Sequence, residues 1–198
     1  PYAGSMYLEE PYLDNNFTIN TLHIPRGHKG ESLLTREQLR RNIKRYQAEN
    51  WQIAIHAQGD IAVKEVLDAF DGIPSTYKKD FRHRLEHCLL IDERSIGRMA
   101  KMKIYPSFHI NHLYYYGSVL KSQLIGPSRA SRMLPLKSAV DNSLKFSLHA
   151  DQPMFPSKPF SLLSTAVNRK TKENTVIGKQ SSICLLYTSD AADEPSSV

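Results

Sequence analysis

The apolar positions along this chain switch repeatedly between two periods. From Thr35 the spacing is helical: Leu39, Ile43 and Tyr46 recur at three and four residues, the pattern of a helix with one face on a core. Thr35 and Gln38 form a capping-box pattern ahead of that run, and Leu34 and Leu39 are spaced as a hydrophobic staple. Glu49 and Asn50 close the helix after Ala48. Residues 51–56 then alternate with period two, Trp51, Ile53 and Ile55 facing one way and Gln52, Ala54 and His56 the other. Asp60 is a good N-cap for a second helix, with Val63, Val66, Leu67 and Phe70 on one side and Gly72 and Pro74 to end it.

The same grammar repeats downstream. A strand over 81–88 puts His83, Leu85 and His87 on one face, and Asp92 caps a helix bearing Ile96 and Met99. A strand over 103–108 ends at His109; residues 110–142 carry a Tyr114-Tyr115-Tyr116-Gly117 loop and one helix around 128–140. Over 144–151, Phe146, Leu148 and Ala150 alternate with Ser147, His149 and Asp151, and a helix near 159–168 starts at Pro159 with Leu162, Leu163, Ala166 and Val167 inside. Four strands alternating with helices at this spacing predict parallel βαβ units, an α/β fold. Residues 1–33 read as irregular. From about residue 184 the pattern stops; the run Leu185 to Glu194 has no amphipathic period and resembles a translated sequencing-library adapter, so 184–198 is expected to be an unstructured, non-native tail.

Composition narrows the classes. A hydrophobic content of 40% and a charged content of 23% are ordinary for a globular protein. The net charge of +6 is dispersed, and its densest run, Arg40-Arg41-Asn42-Ile43-Lys44-Arg45, lies on the first helix as a solvated face. No interleaved aromatics or RNA-binding motif accompany it, so nucleic acid is not expected as a partner. No apolar run is long enough for a membrane-spanning helix. Cys88 and Cys184 have no metal-finger or redox spacing, which fits a reducing, cytoplasmic compartment.

The chemistry sits at the carboxyl ends of the predicted strands. His56, His87 and Asp151 each close an apolar stretch. His56 and His87 are 31 residues apart, about one strand–helix repeat, and Asp151 follows 64 residues later, about two repeats. Two imidazoles and a carboxylate at strand ends are the donor inventory of a hydrolytic metal site on a (β/α) barrel. Each has a plainer reading: a histidine ending a strand can be structural, and a carboxylate before a Pro-bearing turn can be an N-cap. Shared inward parity favours the ligand reading. By alternation Glu86 has the wrong parity and is expected to pair with a basic neighbour. His23, His28, His83, His112 and Tyr114 to Tyr116 are expected in structural or loop roles.

The segments His56-Ala57-Gln58-Gly59-Asp60, His83-Arg84-Leu85-Glu86-His87 and His149-Ala150-Asp151-Gln152-Pro153 resemble the strand 5, 6 and 8 motifs of the amidohydrolase superfamily. The resemblance is to amidohydrolase family 3, the group that includes N-substituted formamide deformylases, and covers roughly residues 1–183. Pro106-Ser107-Phe108-His109 is similar to the Gln-Pro-x-His that follows strand 7 in that family, and Val167-Asn168-Arg169 to the helix after strand 8. The resemblance implies His56, His87 and Asp151 as metal ligands, with Asp151 also the catalytic proton shuttle. It implies a divalent metal, zinc first, and a small-molecule substrate whose amide, formamide or cyclic amide C–N bond is hydrolysed. His109 is a candidate substrate contact or a pocket-lining residue. His149 departs from the small residue usual before the aspartate, and either tunes the site, touches substrate or hydrogen-bonds to Asp151.

Two family features are missing. There is no His-x-His pair, which the family carries on strand 1, and no strand 4 ligand. With 198 residues against about 250 for a full barrel, the chain is expected to be the C-terminal half of a (β/α)8 TIM-type barrel, about strands 5 to 8, cut at both ends. It is expected to be inactive alone, with a homo-oligomeric full-length parent. The rival expectation is a non-catalytic truncated barrel or binding module; another is a parent that uses the same site on an ester or in an isomerisation.

Overall fold

Each strand pairs with the next in chain order: β1 (Ala54–Ala57), β2 (Arg84–His87), β3 (Tyr105–Phe108) and β4 (Ser147–Leu148) make one parallel sheet in the order β1-β2-β3-β4. This is the expected α/β arrangement, with strands two to six residues shorter than the alternation suggested. The computed structural model describes residues 4–71, 73 and 80–184. Seven α-helices connect and flank the strands there: α1 (Arg36–Ala48), α2 (Asp60–Asp71), α3 (Glu93–Met102), α4 (Asn111–Val119), α5 (Gly126–Ser131), α6 (Leu136–Asp141) and α7 (Pro159–Asn168). The expected helix end at Gly72 and Pro74, and the expected loose tail from residue 185, lie outside the described residues.

The caps of α1 and α3 form as read, whereas Asp60 is the first residue of α2 and its Oδ1 accepts from the Glu9 and Ile61 N–H groups. Thr35 Oγ1 accepts from the Gln38 backbone N–H at 3.2 Å, and the Gln38 side chain accepts from the Thr35 N–H at 2.7 Å. Asp92 accepts from the Ser95 N–H at 2.6 Å to start α3. Leu39 and Ile43 of α1 are buried, as are Val63, Val66, Leu67 and Phe70 of α2 and Ile96 and Met99 of α3. Tyr46 departs from the expected core face at 41% exposed. Gln47 is buried in its place, its side-chain amide 2.9 Å from His83 Nε2. His83 Nδ1 in turn accepts from the Ile53 N–H at 3.0 Å, tying the approach to β1 onto β2.

Two expectations fail between β3 and β4. Tyr114 to Gly117 are helical rather than a loop, because Leu113, Gly117, Leu120 and Leu124 recur at three and four residues and all are buried. The single helix expected over 128–140 is two, α5 and α6. Pro135 cannot donate to the preceding turn, Leu134 takes a left-handed φ of 50°, and the chain restarts at Leu136.

The stretch from Gly4, expected to be irregular, is so apart from one helical turn over Phe17–Thr21, and it is held down. Leu8 and Tyr12 donate backbone N–H groups to Lys29 and His28, and Met6, Leu8, Tyr12 and Ile24 are buried. Gly59, on the β1–α2 turn, lies so close to this stretch that a Cβ there would overlap the Tyr7 carbonyl. Arg129 clamps it from the other side, donating to the carbonyls of Glu10 and Pro11 at 2.7 Å each. At the opposite end Arg169 is wholly buried and donates to the carbonyls of Ile177, Leu134 and Met133 at 3.1, 3.0 and 2.7 Å. Among the described residues no helix is long and apolar enough to cross a membrane.

Candidate metal centre

The β1–β2 ladder aligns Ile55 with Leu85, His56 with Glu86 and Ala57 with His87. Neighbours in register share a face. Ala57 and Leu85 are buried, whereas Ala54, His56 and Arg84 are exposed on the other face. The ladder therefore puts Glu86 on the open face beside His56, contrary to the parity read from the sequence, and its carboxylate accepts from Arg84 Nε at 2.9 Å. His87 has the covered-face position. It reaches the site because the backbone leaves the extended region there, with φ of 74° at His87 and 49° at Cys88. Its ring then lies 4.4 Å, centroid to centroid, from that of His56.

β4 delivers the other half. His149 continues the β3–β4 pairing, its N–H donating to Phe108 O at 3.0 Å. Asp151 follows with a left-handed φ of 56° and an exposed carboxylate. His87, His149 and Asp151 each offer one donor atom, and these atoms lie within 4.8 Å of one another. Of the three ligands expected from the sequence, His87 and Asp151 meet in this group. His149, expected only beside it, is its third member. His56 stays against the His87 ring and outside the group among the described residues.

His109 and His112 extend the imidazole cluster. The His109 ring is 4.9 Å from that of His149, 5.6 Å from that of His87 and 3.8 Å from that of His112. His112, assigned a loop role from the sequence, is buried at the start of α4 with Nδ1 3.3 Å from the Gln58 amide. The missed signal is the His109-x-x-His112 spacing, one helical turn, which a loop over Tyr114 to Gly117 hides. His28 and His83 have the structural roles expected: His28 Nε2 is 2.9 Å from the Gly4 carbonyl, and His83 bridges Gln47 and Ile53.

Electrostatics and unmet hydrogen bonds fit a cation. Burial pushes the His87 imidazole down to about 4, with the neighbouring His56 and His149 adding to the shift. Burial likewise takes His109 down to about 3, and lowers His56, His112 and His149. Neutral imidazole is the form that binds a metal. His87 Nδ1, His149 Nε2 and both ring nitrogens of His109 are buried without a hydrogen-bond partner, a state proteins rarely leave uncompensated. Two neutral imidazoles and one carboxylate are a donor set suited to a hydrolytic divalent cation.

Residues 3–186 match the family model described as "Amidohydrolase family". The chain belongs to that family. Within it, the chain is similar to the N-substituted formamide deformylase of Arthrobacter pascens, 28% identical over 119 residues that make up 60% of this chain and 22% of the deformylase. Among solved structures it resembles an uncharacterized metal-dependent hydrolase from Pyrococcus horikoshii OT3, with a TM-score of 0.69 and 25% identity over 91% of this chain and 33% of that one. A second, from Pyrococcus furiosus, gives a TM-score of 0.66 and 25% identity over 90% of this chain and 35% of that one. This amidohydrolase chain thus spans about a quarter to a third of the length of the relatives it matches.

Proposed function

We propose that this chain supplies the carboxyl-terminal half of a (β/α)8 barrel, about strands five to eight, in a metal-dependent hydrolase that cleaves a C–N bond of a small amide, formamide or cyclic amide. The observation that carries the reading is the meeting of His87, His149 and Asp151 at the carboxyl ends of parallel strands. The open sheet supports the barrel. On one face Ala54, His56, Arg84 and Ser147 are exposed, and a cavity of about 860 Å³ borders β1, with Leu39, Ile43, Ile53, Ile55 and Val66 in its wall. A preceding strand and its helix would fill that cavity and complete the pairing of β1.

His87 and Asp151, with His149 or His56, would hold the cation. A divalent metal bound there, zinc by its donor set, would lower the pKa of water to about 7 and polarise the substrate carbonyl. Asp151 is exposed beside the neutral imidazoles, where a carboxylate can take the proton of the attacking water and return it to the leaving nitrogen. His109, buried with unpartnered nitrogens 4.9 Å ring to ring from His149, is the candidate contact for the substrate's polar group.

The full-length protein tests the reading. It should contain a divalent metal and hydrolyse at least one member of a panel of N-substituted formamides, amides and cyclic amides, losing activity on chelation and regaining it with zinc. His87→Ala should remove most of both activity and bound metal. Hydrolysis that survives chelation, or turnover of esters with none of the C–N panel, would overturn it.

A further inference from the structure

From Asp151 to Ser161 every residue is exposed except one, Phe155, which retains 9% of its surface. This is the connection that carries Asp151 from β4 to α7. Its internal hydrogen bonds include Met154 N–H to Asp151 O at 2.8 Å and Ser161 N–H to Lys158 O at 2.9 Å. The Phe155 ring lies parallel on Tyr115, with centroids 4.5 Å apart and planes at 10°. It meets Tyr116 edge-on at 5.7 Å and 64°, and His109 at 5.5 Å and 55°. Tyr115 and Tyr116 belong to α4, the helix after β3, so one side chain joins the loop of one strand to the helix of its neighbour.

We propose that Phe155 is a positioning residue that holds Asp151 at the donor group by docking this loop on the aromatic face of α4; the functional part of the proposal rests on the metal-centre reading above. An exposed segment without buried contacts samples many conformations. Asp151 needs one of them, a left-handed backbone that places its carboxylate beside His87 and His149. The Met154–Asp151 hydrogen bond makes the stretch from Asp151 to Phe155 a short, closed turn, so fixing the ring fixes the carboxylate. Stacked rings suit this purpose because their offset and tilt are specific, unlike the contact of an aliphatic side chain.

Hydrogen–deuterium exchange on the 198-residue chain reads the anchor without any metal. Phe155→Ala should speed exchange of the Met154 amide, which donates to Asp151 O, by on the order of tenfold or more, leaving amides of β2 and β3 unchanged. Tyr115→Ala should do the same and add little to Phe155→Ala, while Phe155→Tyr should restore protection. In the full-length hydrolase, Phe155→Ala should lower kcat by on the order of 10- to 100-fold with KM within about twofold, and Phe155→Tyr should recover it. Unchanged loop exchange, or a rise spread through the sheet, would overturn the anchor. A loosened loop with undiminished kcat would overturn the positioning role. A wild-type full-length protein with neither metal nor hydrolysis would sink the proposed function instead, and the exchange result would still decide the anchor.

Discussion

His56 stands in register with Glu86 across the β1–β2 ladder, and His87 stands one step further on, opposite Ala57. The two imidazoles nevertheless lie 4.4 Å apart, centroid to centroid, because they arrive by different routes. His56 comes from regular strand alternation, His87 from a left-handed turn of the backbone at the strand end. The two rings meet at the strand ends, His56 from the open face and His87 from the covered one, with the Glu86 carboxylate beside the first and the donor group beside the second.

The donor geometry sets an order among variants. In the isolated chain His87→Ala, His149→Ala and Asp151→Ala should each weaken zinc binding by about tenfold or more, and His56→Ala by less, since the first three already meet. Calorimetric titration with Zn²⁺ checks this. A larger loss from His56→Ala than from His149→Ala would give the third donor position to His56.

Burial of neutral imidazoles predicts a stability that falls with acid. His83, His87, His109 and His112 all have folded pKa values pushed below the unfolded value of about 6.5 by burial. The unfolded chain then binds more protons, so their contribution is complete above about pH 6.5 and is lost as pH falls. For His87 the window runs down to about 4, for His109 to about 3. Within it each histidine adds a slope approaching 1.4 kcal/mol per pH unit. Urea unfolding of the metal-free chain at pH 7.5, 6 and 5 should show a falling midpoint, and His112→Asn should flatten the fall. A midpoint constant across that range would contradict the burial of these rings.

Gly59 and Gly97 should respond to alanine in opposite directions. At Gly59 the added Cβ would overlap the Tyr7 carbonyl, a backbone group with little room to move, and a loss of about 1–3 kcal/mol or more is expected. At Gly97, inside α3, the nearest atom is Asn142 Oδ1 at 4.0 Å, and alanine should add about 0.5–1 kcal/mol through helix propensity. Paired thermal melts of the two variants decide it.

Removing the Thr35 cap should cost less. Thr35→Ala removes the Oγ1 acceptor for the Gln38 N–H at an exposed helix start while keeping the backbone N–H that donates to the Gln38 side chain, and about 1 kcal/mol is the expected loss. Thr35→Asp should keep most of the stability.

Most of the scaffold could be read from the residues because its signals are local. Thr35 with Gln38, Asp92 before α3 and Pro159 at the start of α7 are caps and starts that depend on near neighbours alone. The readings that failed depend on distant ones. Tyr114 to Gly117 look like a loop until Gly117 is seen packed against Thr171 and Ile177, far along the chain. Of the site, His87 and Asp151 were legible from their place at strand ends, though Glu86 was put on the wrong face. Alternation assumes an extended backbone, and nothing in the residue types at 87 and 88 announces a positive φ. His149 and His112 joined the cluster through the β3–β4 pairing and the first turn of α4, relations that spacing alone does not carry.

Arg169 is a cation dissolved in main chain. Its guanidinium, lowered by burial to about 10, is still charged at neutral pH, and carbonyl oxygens from Met133, Leu134 and Ile177 surround it much as a crown ether surrounds an ion. Those oxygens come from two stretches on opposite sides of α7 in chain order. Lysine would keep the charge, but one nitrogen cannot reproduce the spread of a planar fork. Methionine would fill the space and leave three carbonyls dry. The knot is also ordered in time: as the polypeptide is synthesised, the ring of oxygens stays open until Ile177 has emerged, so this end of the molecule can lock only after α7 has been made and passed.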